Sequence, residues 1–214
     1  MSRLPLKDSN LGKVHGVGIN DAEYCVTKHE KVGGKFKITW ICPIYRCWRN
    51  LLCRCYDQKR HQKFPTYQDC YVCQEWLRFS NFKKWMDAQD WEGKHLDKDI
   101  LIPGNKMYSP ETCAFVSPAL NSFVVDQAST RGDLPIGVCY WADRKKYRAN
   151  VSNPFTKRYE YLGLFDSVDA AKAAWRKRKH ELACLYADEQ PDPRVASALR
   201  KRYLAIPSDG GVAA

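Results

Sequence analysis

Between Gly137 and Phe165 the chain alternates apolar and polar residues in three short runs, and this pattern limits its fold more than any other feature. Gly137 to Ala142, Tyr147 to Val151 and Tyr159 to Phe165 read as strands, because a period of two sends successive side chains to opposite faces of a sheet. The charged turn Asp143-Arg144-Lys145 separates the first two runs, and the loop Ser152 to Thr156 the next two. Asp166-Ser167 then offers side-chain oxygens to the free amides of a helix start. That helix is predicted from Val168 to about Tyr186, with its alanines and Trp175 toward the sheet and Arg176-Lys177-Arg178-Lys179 toward solvent. A last short helix is expected from Pro193 to Leu204, and the tail after Pro207 as disordered.

The chain has 214 residues, 44% of them hydrophobic, enough for a buried core and for two small domains. Its formal charge is +11 and its pI is near 9.2, with basic residues in both halves, which favours a polyanion as partner. No apolar run reaches the roughly 18 residues of a membrane span. The opening MSRLPLKDSN lacks the apolar core of a signal peptide, so a cytoplasmic protein without a membrane partner is expected. Inside a cell, ten cysteines read as reduced thiols, core residues or metal ligands rather than disulfides.

From Leu11 to Trp40 the alternation and the glycines Gly16, Gly18, Gly33 and Gly34 indicate short strands and turns. Tyr45 to Tyr56 has helical spacing, and a second helix is predicted from Trp76 to Gln89. A strand from Leu96 to Ile102, a Pro-Gly-Asn turn at Asn105, a second strand from Cys113 to Val116 and a short helix suggest a hairpin packed on a helix. The polar stretch Asp126 to Asp133 marks a linker. The predicted organisation is an N-terminal region over 1–126, a linker over 127–133, a sheet-and-helix domain over 134–190, and a short helix with a tail over 191–214. The fold class is α+β.

The string LPIGVCYWADRKKYRANVSNPFTKRYEYLGLFDSVDAAKAAWRKRKHE resembles an AP2 domain: Gly137-Val138, Tyr140-Trp141, Tyr147-Arg148-Ala149, Leu162-Gly163-Leu164-Phe165, then an Ala-rich helix. The resemblance implies a three-stranded antiparallel sheet that reads double-stranded DNA. By position it puts Tyr140, Trp141, Arg144, Lys146, Arg148, Asn150, Lys157 and Arg158 on the nucleic acid. Arg and Asn make bidentate contacts to guanine and adenine, and lysines hold phosphates. Strand alternation sets Lys146, Arg148 and Asn150 on one side.

The N-terminal strings ICPIYRCWRNLLCRCY, PTYQDCYVCQEWLRFSNFKKWM and LDKDILIPGNKMYSPETCAFVSPALNS are similar to small proteins of tailed phages described as HNH homing endonucleases. This resemblance implies an HNH-like ββα segment over about 42–124, a divalent Mg²⁺ or Mn²⁺, and a host-cell cytoplasm as the place of action. It puts Asp97 at the metal carboxylate, Lys98 at the general base, Thr112 at the residue that orients the base, and Asn121 at the last metal ligand. A lysine ammonium accepts no proton unless its pKa is lowered, so His95, two residues before Asp97 on a strand, is the alternative base. Cys70 and Cys73 have the CxxC spacing that lets two thiolates bind one Zn²⁺, with Cys42, Cys53, Cys55, Cys113 or His61 to complete the set. The leading expectation is a phage-type DNA endonuclease. The alternative is a non-cleaving DNA-binding repressor on the same scaffold, which the lysine and threonine at positions 98 and 112 support.

Overall fold

A computed structural model describes residues 12–125 and 133–204. The chain divides into two compact units, Met1–Val116 and Ser117–Ala214, each mixing helices with strands. The division falls earlier than the expected linker, which lies outside the described residues except for Asp133. The tail after Pro207 lies outside them entirely. No helix among the described residues is long and apolar enough to cross a membrane. All ten cysteines are free thiols.

In the N-terminal unit, β1 (Thr27–Val32) and β2 (Lys35–Ile41) form an antiparallel hairpin around Gly33-Gly34, both with positive φ. Helix α1 (Pro43–Tyr56) starts at a proline, which needs no amide partner in the first turn, and α2 (Gln58–Lys63) is capped by Asp57. The helix expected from Trp76 to Gln89 is two elements: a 3-10 turn over Gln74–Leu77, then α3 (Phe79–Asp87), with Arg78 extended between them. The break follows from the neighbouring chain, because Ile19 accepts the Phe79 amide at 3.0 Å and donates to the Leu77 carbonyl at 2.7 Å. Trp48, Leu51 and Leu52 of α1 meet Trp76, Phe79 and Phe82 in a fully buried core. Phe79 stands edge-on to Tyr45 at 5.3 Å, and Trp76 edge-on to Phe82 at 5.0 Å. Gly18 lies against this core so closely that a Cβ would sit 2.3 Å from Leu52 Cδ1.

Four short strands complete the unit. β3 (Tyr71–Val72) pairs in parallel with β5 (Met107–Tyr108), and β4 (His95–Asp97) pairs antiparallel with β6 (Ala114–Val116). The strand expected from Leu96 to Ile102 thus ends at Asp97. The cause is local: Asp97 Oδ1 accepts the amides of Asp99 at 2.8 Å and Ile100 at 2.6 Å, which bends the chain away from the ladder.

In the C-terminal unit, α4 (Pro118–Val124) is followed by a sheet of β7 (Val138–Trp141), β8 (Lys146–Asn153) and β9 (Arg158–Phe165) in that order, all antiparallel. Helix α5 (Val168–Asp188) covers it, with Ser167 alone as cap, and α6 (Pro193–Arg202) packs on α5. Val138, Ala149 and Ala171 form the seam between sheet and helix. Gly137, at φ +76°, lets the chain pass under Trp175, where a Cβ would lie 2.0 Å from the indole. The basic run of α5 is not a solvated face. Lys177 is exposed, but Arg176 donates to the carbonyls of Tyr203 and Leu204, and Arg178 binds Glu160 and Glu181. Lys179 is 8% exposed, donates to the Phe123 carbonyl at 2.8 Å and stands 3.4 Å over the Phe123 ring. That tie holds α4 to α5 and explains why α4 belongs to this unit.

Two predictions follow from this packing. Gly137→Ala adds both a left-handed strain and an overlap with Trp175, and is expected to cost about 2–4 kcal/mol in a denaturant titration. Arg178 and Asn153 hold the Glu160 carboxyl down at about 2, against an ordinary value of 4.5. A carboxylate depressed in the fold stabilises fully above its unfolded pKa and loses that contribution as pH falls through the folded one. Glu160→Gln is therefore expected to lower the melting temperature at neutral pH, and the two melting curves to converge between pH 4.5 and about 2.

Candidate nucleic-acid interface

The pairing of β8 with its neighbours sorts the predicted contact residues by face. Trp141 pairs with Lys146, Arg148 with Cys139 on one side and Leu164 on the other, and Asn150 with Tyr161. These share the outer face, away from α5, as the period-two reading of Lys146, Arg148 and Asn150 requires. Tyr140 pairs with Tyr147, and its ring lies 5.3 Å from that of Tyr147 on the helix side of the sheet. Arg158 pairs with the buried Asn153 on the helix side as well. Arg144 sits in the 3-10 turn after β7, and Lys157 in the β8–β9 turn at φ +57°. The eight candidates are thus four on the outer face, two on the inner edge and two in turns.

One irregularity in β9 completes the outer face. Ala149 pairs with Gly163 but Asn150 with Tyr161, so Leu162 is an extra residue in the ladder, next to Gly163 at φ +127°. An extra residue inverts the alternation beyond it. Tyr161 and Tyr159 therefore face outward, 60% and 83% exposed, and Glu160 turns in to Arg178 Nε at 2.6 Å. Sequence reasoning missed these two tyrosines because uninterrupted alternation from Gly163 and Phe165 turns them inward.

The outer face is preorganised and cationic. The Arg148 guanidinium carbon stands 5.4 Å over the Trp141 ring, which fixes a long side chain against a flat one. With its amide oxygen turned to the nearest donor, Asn150 accepts from Arg148 Nε at 3.2 Å. Lys146 reaches Asp166 at 3.0 Å, an exposed pair that a polyanion can displace at little cost. A shallow basin that Leu134, Pro135 and Tyr140 also line reaches Cys139, Arg148, Asn150 and Tyr159.

The N-terminal unit carries a second aromatic and basic surface that sequence reasoning also missed. On β2, Phe36, Ile38 and Trp40 project at every second position and are 76%, 49% and 40% exposed. Lys28 Nζ lies 5.6 Å from the Trp40 ring, and Lys31 pairs with Phe36. Exposed apolar side chains on alternate positions of a free hairpin were the available signal.

The nuclease-like hairpin is arranged differently from expectation. Lys98 is 7% exposed, and its ammonium donates to both Asp99 oxygens at 2.8 Å and to the Asn105 carbonyl. Asn105 returns a bond to the Lys98 carbonyl at 2.9 Å, confirming it as a turn residue. Lys98 thus clamps the loop after β4. Thr112 is buried too, donating to the Met107 carbonyl at 2.8 Å and accepting from the Ser109 amide at 3.1 Å. His95 and Asp97 do share one face of β4, opposite Val116 and Ala114. Asp99 lies beyond the end of the strand, and its carboxylate belongs to Lys98.

One Asp97 oxygen is already taken by two amides, and Asn121 lies on α4, in the other compact unit. Within the N-terminal unit, His95 and Asp97 belong to no close group of three or more His, Cys, Asp or Glu side chains among the described residues. Cys70 and Cys73 gather no such group either. Cys70 Sγ donates to the Thr66 carbonyl at 3.8 Å, and burial pushes both thiols up. Comparison of the chain with protein-family models, with curated proteins and with solved structures finds no match.

Proposed function

We propose that this chain binds double-stranded DNA selectively and reads it with the outer face of β7–β8–β9. The observation that carries the reading is one thin sheet face presenting Trp141, Lys146, Arg148 and Asn150 together with Tyr159 and Tyr161. A sheet backed on one side by a helix has the dimensions to enter a major groove. Arg148 and Asn150 supply the bidentate donors and acceptors that distinguish bases, and Lys146, Arg144 and Lys157 supply charge for the phosphates that flank them. The resemblance to AP2 domains and the net charge of +11 support the same reading.

The second reading is a DNA endonuclease of the HNH homing type, favoured by the shared face of His95 and Asp97. In that case His95, not Lys98, is the group placed to take a proton from water. The burial of Lys98 and Thr112 favours the non-cleaving binder.

Binding is tested by equilibrium titration of the full chain with duplexes selected from a random pool. Arg148→Ala is expected to cost about 1–3 kcal/mol and to relax preference at one or two base positions, and Tyr159→Ala to weaken binding. Affinity is expected to fall roughly a thousandfold or more between low and physiological salt if about six phosphates are neutralised. A flat salt response, or equal affinity for duplex RNA, would overturn the assignment. Cleavage is tested on a plasmid library with Mg²⁺, Mn²⁺ or EDTA. Metal-dependent cuts that vanish in Asp97→Ala and His95→Ala but persist in Lys98→Met establish the nuclease. Duplex binding without cuts leaves the chain a binding protein.

A further inference from the structure

His15, Cys53 and Asp57 come together from two separate parts of the N-terminal unit. Their ligand atoms all lie within 4.8 Å of one another, and each side chain is half-buried. Among the described residues they are the only group of three or more such side chains that approach so closely. Cys53 occupies the last turn of α1, and Asp57 follows four positions later on the same side. His15 arrives on a tight turn closed by two bonds between Val14 and Gly18, of 2.8 and 2.9 Å. Gly18 seats that turn on Trp48 and Leu52, with no space for a Cβ. His15 itself takes φ +49°, and Gly16 φ +80°, which turns the imidazole back over the end of α1.

The distance between His15 Nδ1 and Asp57 Oδ2 is 3.6 Å. That is longer than the 2.7–3.2 Å of an N–H···O hydrogen bond. It matches the roughly 3.3–3.8 Å that separates two ligands on a tetrahedral ion with bonds of about 2.0–2.3 Å. Asp57 meets the helix with its other oxygen, Oδ1, which accepts the Arg60 amide at 2.8 Å, and so keeps Oδ2 for a ligand. The same 3.6 Å is within reach of an ion pair between a protonated imidazole and the carboxylate, and it is the Cys53 thiol beside both that points to a metal.

We infer that His15, Cys53 and Asp57 bind one zinc ion that fastens the 13–18 turn to the end of α1. Thiolate, imidazole and carboxylate together select a borderline-soft ion over Mg²⁺ or Ca²⁺, which take oxygen ligands. The two anionic ligands leave the zinc site neutral, so it suits a half-buried position. A fourth position is left for water. The site is independent of DNA binding and replaces the Cys70–Cys73 pair as the zinc-binding element of this chain.

The test is metal analysis of the full chain after incubation with zinc and removal of excess, together with absorption spectra of the cobalt-substituted protein. One zinc per chain is expected, with a thiolate-to-cobalt band in the near ultraviolet. Cys53→Ser is expected to abolish the band, while Cys70→Ser and Cys73→Ser keep it. Asp57→Asn retains an oxygen for the Arg60 amide, so it preserves the cap and is expected to weaken zinc affinity at least tenfold without unfolding the unit. Circular dichroism of each variant checks the fold. Chelation of the zinc is expected to expose the 13–18 turn to proteolysis. Absence of stoichiometric metal in the wild-type chain, or a band that survives Cys53→Ser and disappears in Cys70→Ser, would overturn the inference.

Discussion

Trp48 delivers its indole N–H to the carbonyl of Trp76 across 2.6 Å, in a place water does not reach. Leaving either group without its partner there would cost about 1–3 kcal/mol, and only one approach of α1 to the 3-10 turn satisfies both. Much of the N-terminal unit follows from that approach. Phe79 and Phe82 are set against the indoles, Ile19 bonds the two peptides on either side of Arg78, and Gly18 is left the narrow space beside Trp48 and Leu52. The residues that meet at the end of α1 depend on the same packing, because it is Gly18 that carries the His15 turn there.

The C-terminal strands and helix were legible in the sequence because each has a punctuated period: charged or glycine-bearing turns, a serine cap, and alternation between. The N-terminal elements were legible where a helix had a continuous stripe, as in α1, and not where a side chain competed with the ladder. Ile100, Leu101 and Ile102 look like strand residues, yet the Asp97 carboxylate captures the amides that the strand would have used. The site residues divide in the same way. Lys146, Arg148 and Asn150 obey the strand period, and Tyr159 and Tyr161 needed knowledge of the bulge. A CxxC spacing is visible along the chain, whereas His15 and Cys53 meet only through tertiary packing.

Charge counted from composition also says little about where charge is offered. Lys98 closes a loop in one unit, and Lys179 joins two helices in the other among Phe123, Trp175 and Tyr203. Both interiors accept an ammonium because carbonyls, a carboxylate or aromatic faces replace its water. Among the described residues, basic side chains stand beside exposed aromatic rings on the outer sheet face and on the β1–β2 hairpin.

The extra residue at Leu162 makes the length of β9 as consequential as its composition. Deleting Leu162 would restore the alternation and keep Tyr159 and Tyr161 outward with Glu160 on Arg178, whereas deleting Tyr159 would make Leu162 the outward residue and send Tyr161 under α5. Divergence within this strand should then remove a position only at the bulge and otherwise proceed by exchange of side chains. The β8–β9 turn around Phe155 and Thr156, which precedes the strand, is where the chain has freedom to lengthen.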